Sequence, residues 1–247
     1  GAYAAAILKT NGFSFWLAFP AAAALSGFVG FLLALPSRRI KGDYYALMTL
    51  GFLFVVNAFI VNGGEFTGGP FGISGIRRPE GFAEPSSFLA LSLAALFLVA
   101  VFVSRMLHSP FGRALQAVRD DELVAESLGK PVAKLRIIAL TVSAVIVGIA
   151  GAFLAHFLQF INAQVFWLDN AVWILAALVV GGLASFPGAI LGTVILFAMF
   201  EGIRFLPFDD ATLAVVIGPL RLIIFSFLLL FVVLFRPKGI MGKAQLE

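Results

Sequence analysis

Apolar runs of about 20 residues recur along the chain, and no other feature restricts its fold so severely. A bilayer's hydrocarbon core is about 30 Å thick, which about 20 helical residues cross. Inside it every backbone N–H and C=O must be satisfied within the protein, so runs this long and this apolar read as helices and not as barrel strands. Spans are expected at 15–35, 44–60, 87–107, 135–159, 190–205 and 220–235. A shorter run, 169–180, needs 161–168 to extend it, and Gly181 to Gly188 should break it. Residues 1–8, GAYAAAIL, read as the closing turns of a further helix, ended by the polar break Lys9-Thr10-Asn11-Gly12. The expected fold is all-α and polytopic: about seven transmembrane or broken helices plus that remnant, in one domain over 1–247. With no initiator methionine, basic n-region or cleavage pattern, the start does not read as a signal peptide, and residues preceding it are expected.

Composition narrows the function classes. The chain is 61% hydrophobic and 12% charged, with 28 phenylalanines, far more apolar surface than a soluble domain of 247 residues needs. Its net charge of +4 would suit nucleic acid, but the basic residues are scattered over loops and form no stripe, so no nucleic-acid partner is expected. The absence of cysteine removes disulfides, thiolate metal sites and a cysteine nucleophile. The two histidines, His108 and His156, fall at opposite ends of spans with no ligand spacing between them, so no metal site is expected. No catalytic cluster is present either, and paired mid-membrane carboxylates, the mark of an ion-driven secondary transporter, are missing.

One long polar passage stands out, residues 105–136. Its charges are too costly for hydrocarbon, so it must lie in water or against a soluble partner. Phe111, Leu115, Val118, Leu123, Val124 and Leu128 recur at helical spacing, while Arg113, Arg119, Asp120, Asp121, Glu122 and Glu126 cover the rest. Gly129 and Lys130-Pro131 then stop the helix. A short amphipathic helix, or a pair, is expected over 109–131. Orientation follows from the cations: Arg38, Arg39 and Lys41, the 105–136 passage, and Arg236, Lys238 and Lys243 all fall on one face when spans are counted. That face is expected to be cytoplasmic.

Four stretches carry a resemblance. ALQAVRDDELVAESLG at 114–129, RIKGDYYALMTLGF at 39–52, TGGPFGI at 67–73 and FRPKGIMG at 235–242 stand in the order found in LivM-type permeases of high-affinity branched-chain amino acid ABC importers. The resemblance implies a non-enzymatic permease subunit of a bacterial or archaeal cytoplasmic membrane. Its implied partners are a second homologous permease, two ATPase subunits that hold ATP and magnesium, and an external solute-binding protein. Implied substrates are branched-chain or other hydrophobic amino acids; relatives that carry urea or short amides stay open.

The resemblance makes 109–131 the segment that couples to the ATPases. Arg119, Asp120, Asp121, Glu122 and Glu126 would supply polar contacts, Leu123, Val124 and Leu128 an apolar one, and Gly129 the stop. A solvated helix with no partner is the competing reading of the same residues. Thr67, Gly68 and Gly69, together with the intramembrane polar residues Asn57 and Thr49, are candidates for the substrate path; a tight external turn, or a docking surface for the binding protein, is the simpler account of the first three. Gly181, Gly182 and Gly188 suit either a hinge or a simple turn. Asp43 is placed to cap the helix that follows it, and Glu201 and Arg204, one turn apart, to pair.

Overall fold

The computed structural model of the chain describes residues 1–40, 42–182 and 185–202, with short pieces at 226–227, 230, 234 and 239–241. Lys41, Arg204, Arg236, Lys238, Lys243 and most of the expected span at 220–235 lie outside the described residues. Contacts divide the chain into two compact units, Gly1–Phe166 and Trp167–Glu247.

The first unit contains α1 (Ala2–Thr10), α2 (Phe15–Ala34), α3 (Asp43–Asn62), α4 (Pro85–His108), α5 (Pro110–Asp120), α6 (Glu122–Ser127) and α7 (Val132–Leu158). A 3-10 turn, Leu35–Arg38, prolongs α2. The second unit contains α8 (Leu168–Gly181) and α9 (Phe186–Gly202). Five described helices are long and apolar enough to span a membrane, the fifth being Ala163–Gly181 when the 3-10 turn before α8 is included. The expected run at 190–205 begins earlier, at Phe186, because Pro187 falls in the first helical turn, where its missing N–H would be unpaired anyway.

Small residues explain the tightest pairing, between α2 and α7. Gly27 faces Val145, Gly30 faces Ala144, and Gly148 faces Ser26, each so closely that a Cβ on the glycine would overlap its neighbour. Without a hydrophobic drive between helices in lipid, this close approach of backbones supplies the dispersion contact that holds them. α1 packs on the same pair, burying Ala5 with Ala22 and Ala152. His156 is 0% exposed there, its ring edge-on to Phe15 at 4.8 Å and its Nδ1 2.8 Å from the Ala152 carbonyl oxygen.

Two features depart from expectation. A two-residue antiparallel ladder joins β1 (Ile73–Ser74) to β2 (Phe160–Ile161), pairing Ile73 with Ile161. It seats Ile73, Ile76 and Ile161 against Ala2, Ala6 and Ala155, closing the end of the unit away from α5 and α6. Asp43 does not cap α3: Gly42 holds the N-cap position, at φ 58° and ψ −135°, and no side chain bonds the free amides. Asp43 is instead the first helical residue, where its charge still faces the positive end of the helix dipole.

Candidate functional site

The 109–131 segment folds as two helices, and their ends are set locally. Ser109 caps α5, its Oγ accepting the Gly112 N–H at 3.3 Å, and Pro110 occupies the first turn. At Asp121 the backbone leaves the helix, at φ −153° and ψ 113°. Its carboxylate then accepts the N–H groups of Leu123 at 2.9 Å and Val124 at 3.0 Å, so it closes α5 and caps α6 at once. Gly129, at φ 76°, ends α6 in a Schellman turn: its own N–H bonds the Glu126 carbonyl at 2.9 Å, and the Lys130 N–H bonds that of Ala125 at 3.0 Å.

The break at Asp121 resets the helical phase, and the single apolar stripe read from the sequence is divided. Phe111, Leu115 and Val118 on α5 are half-buried. Leu123, Val124 and Leu128 face outward, at 76%, 53% and 72% exposed. The inner side of α6 holds buried Ala125 and half-buried Glu122. A helix in water ordinarily shows the reverse arrangement, with large aliphatics turned in.

The charges divide in the same way. Arg119 and Asp120 pair with each other at 2.7 Å, both well exposed, and Glu126 is exposed. Glu122 turns inward to Arg136 at the start of the second turn of α7, at 2.6 Å, with about a quarter of each side chain exposed. Arg136 also donates to the Ser37 carbonyl at 2.9 Å. Local sequence pattern had assigned Glu122 to the outward set, because a partner fourteen positions away leaves no periodic trace.

At the other end of the unit, Thr67 is 2% exposed; its hydroxyl donates to the Ile60 carbonyl at 2.6 Å and accepts the Gly69 N–H at 3.3 Å. Gly68, Gly69 and Gly72 have φ of 71°, 54° and 73°, and a Cβ on Gly72 would overlap the Ile161 carbonyl. Phe71 stands out from this loop, 89% exposed. Beside it a cavity of about 630 Å³ is lined by Ile7, Thr10, Asn11, Glu65, Gly68 and Gly72, among others. Asn57 donates to the Ala163 carbonyl at 3.2 Å, and the Thr49 hydroxyl bonds back to Ala46 at 2.8 Å within its own helix. Thr67, Gly68 and Gly69 are neighbours in one loop, but of the candidate path residues Gly68 alone lines this cavity, and Thr67, Gly69, Asn57 and Thr49 do not.

In the second unit, Gly181 packs on the Gly188 carbonyl, and Gly182, at φ 114°, ends α8. The N–H groups of Ile240 and Met241 bond the Val180 and Gly181 carbonyls at 3.0 and 2.9 Å. Residues 239–241 therefore satisfy backbone acceptors that a helix C-terminus leaves free. Among the described residues no three His, Asp or Glu side chains gather as a metal site would require.

Long apolar helices joined by a charged, water-compatible helical segment, with small-residue packing in the spans, define a polytopic α-helical membrane protein. Residues 1–234 match the family described as the permease component of the branched-chain amino acid transport system, and the chain belongs to that family. The high-affinity branched-chain amino acid transport system permease protein LivM of Salmonella typhimurium is 32% identical over 277 residues, covering 100% of this chain and 63% of the relative. The probable LivM of Methanocaldococcus jannaschii is 27% identical, covering 90% of this chain and 66% of the relative. LivH of Escherichia coli, a permease of the same kind of system, is 30% identical over 64% of this chain and 47% of its own. The chain thus spans somewhat under two thirds of the LivM proteins it matches. No solved structure matches it.

Proposed function

We propose that the chain is a transmembrane permease subunit of an ATP-driven importer for branched-chain or other hydrophobic amino acids, set in a bacterial or archaeal cytoplasmic membrane. It forms half of the translocation path beside a second, homologous permease, with two ATPase subunits on the inside and a solute-binding protein outside. ATP and magnesium are bound by the ATPases alone. The family match and the full coverage of this chain by LivM support the reading. So does the separate similarity to LivH, which suits a system with two related permeases.

The observation that carries the docking part is the outward position of Leu123, Val124 and Leu128 on a helix whose other exposed residues are polar or charged. Three large aliphatics held in water by firm caps at both helix ends are explained by a soluble partner that covers them. A cytoplasmic position for this segment is supported by its cations, which count onto the same face as Arg38 and Arg39. In this reading the ATPase contact comprises Arg119, Asp120, Leu123, Val124, Glu126 and Leu128, with Asp121 and Gly129 setting the helix ends. The cavity beside Gly68 and Gly72 lies on the external face, as the approach for solute. Gly68 and Gly72 line it, Thr67 holds their loop in shape through the Ile60 carbonyl and the Gly69 N–H, and the packed glycines Gly181, Gly182 and Gly188 form the pivot of the late helices.

Co-purification tests this directly. Tagged chain, expressed with its neighbouring subunits, is expected to bring ATP-hydrolysing subunits with it, and solute uptake into proteoliposomes should require ATP. A chain that purifies without an ATPase and moves solute on an ion gradient would refute the proposal.

A further inference from the structure

We propose that Arg136 is the positioning residue through which movement of the 109–131 segment reaches the membrane helices. This inference rests on the docking reading above and adds the route by which the docked segment acts. The guanidinium of Arg136 is divided between two elements. One nitrogen donates to the Glu122 carboxylate of α6 at 2.6 Å, and another to the backbone carbonyl of Ser37, in the 3-10 turn that ends α2, at 2.9 Å. Arg136 itself is the fifth residue of α7, at the start of its second turn. Three elements therefore meet on one planar, five-donor group.

Each end of the link is firmly set. Ser37 is fully buried and its own hydroxyl bonds the Ala34 carbonyl at 2.6 Å, so the acceptor it offers is fixed in place. The pair with Glu122 is about three-quarters buried on both sides, where charges are screened less than at an open surface. Beyond it, α2 and α7 interlock through Gly27, Gly30 and Gly148, so a displacement received by one is passed to both. The Asp121 cap and the Gly129 turn lie within the segment and fix its shape. The exposed Arg119–Asp120 pair joins neighbouring residues and can transmit nothing.

The test uses the whole importer, reconstituted in proteoliposomes, and reads solute taken up per ATP hydrolysed. Arg136→Gln and Glu122→Gln are each expected to leave the ATPases bound and hydrolysis running while uptake per ATP falls about tenfold or more. The double variant should be no worse than either single one, since residues acting as one unit are not additive. Arg136→Lys, which keeps a charge but lacks the fork, should recover only part of the loss. Should Arg136→Gln fail to insert, Glu122→Gln, outside the spans, carries the test alone. Uptake per ATP at the wild-type level in variants that still hold the ATPases would overturn the link and leave the docking reading intact. Loss of the ATPases from Glu122→Gln would overturn it too, by showing that the pair shapes the docking surface. If the wild-type chain binds no ATPase, both readings fall together.

Discussion

Two connectors, one glycine-rich and one charged, join spans at opposite ends of the first unit, and they are built on opposite plans. The loop between α3 and α4 is held by long-range bonds: Thr67 to Ile60, the β1–β2 ladder, and Ile76 to the Gln159 carbonyl at 3.3 Å. Its glycines take left-handed conformations so that the backbone can lie directly against β2. The segment between α4 and α7 takes its shape from bonds within itself, the Asp121 cap and the Gly129 turn, and among the described residues Arg136 ties it to the spans by an ion pair. One is a fixed wall. The other is a handle with its own internal bracing, which suits a part that must be moved as a body.

The sharpest break in that contrast comes from Gly72→Val. At φ 73°, and with the Ile161 carbonyl where a Cβ would go, the variant combines backbone strain of about 1–3 kcal/mol with an overlap that only separation of the ladder relieves. A large fall in the thermal midpoint of the detergent-solubilised protein is expected, with the loop becoming open to protease. Gly129→Ala has no such neighbour and should lose only the left-handed preference, about 1 kcal/mol. Equal loss in both would mean that the loop is no more tightly built than the segment.

Leu123→Asp with Leu128→Asp addresses function in place of folding. Both side chains are exposed, so the thermal midpoint should change little, within about 0.5 kcal/mol per site. Retention of ATPase subunits on a tagged chain should fall strongly, since apolar anchors at the centre of an interface contribute about 2 kcal/mol or more each. A stable variant that still holds its ATPases would return α6 to the status of a solvated helix.

These two connectors also mark what could be read in advance. The five described spans are legible because each needs only its own composition, and the stop at Gly129 because a Schellman turn is written in adjacent residues. The division of the apolar stripe is not: Phe111 to Leu128 keeps helical spacing only if the helix is continuous, and Asp121 interrupts it by a backbone choice that its side chain then rewards. Glu122 with Arg136, and Ile73 with Ile161, are meetings across 14 and 88 positions that only the assembled helices create. At Thr67 the surrounding glycines leave substrate contact and a tight turn both open in the sequence, and the long-range bond of its hydroxyl to the Ile60 carbonyl, which holds the loop, leaves no local trace there.

The smallest expected effects test how local the handle is. Asp121→Ala removes the acceptor for two amides of α6 and should destabilise that helix by about 1 kcal/mol. Because the cap is local to α6, the change should appear as faster amide hydrogen exchange over 122–128, with exchange in α2 and α7 unaltered and the global thermal midpoint shifted by about a degree or two at most. Arg119→Ala marks the lower limit. Its pair with Asp120 is exposed and joins adjacent residues, so the folded protein should lose under about 0.5 kcal/mol. If Asp121→Ala instead quickened exchange in α7, the segment would be part of the bundle's cooperative unit, and the distinction between wall and handle would have to be abandoned.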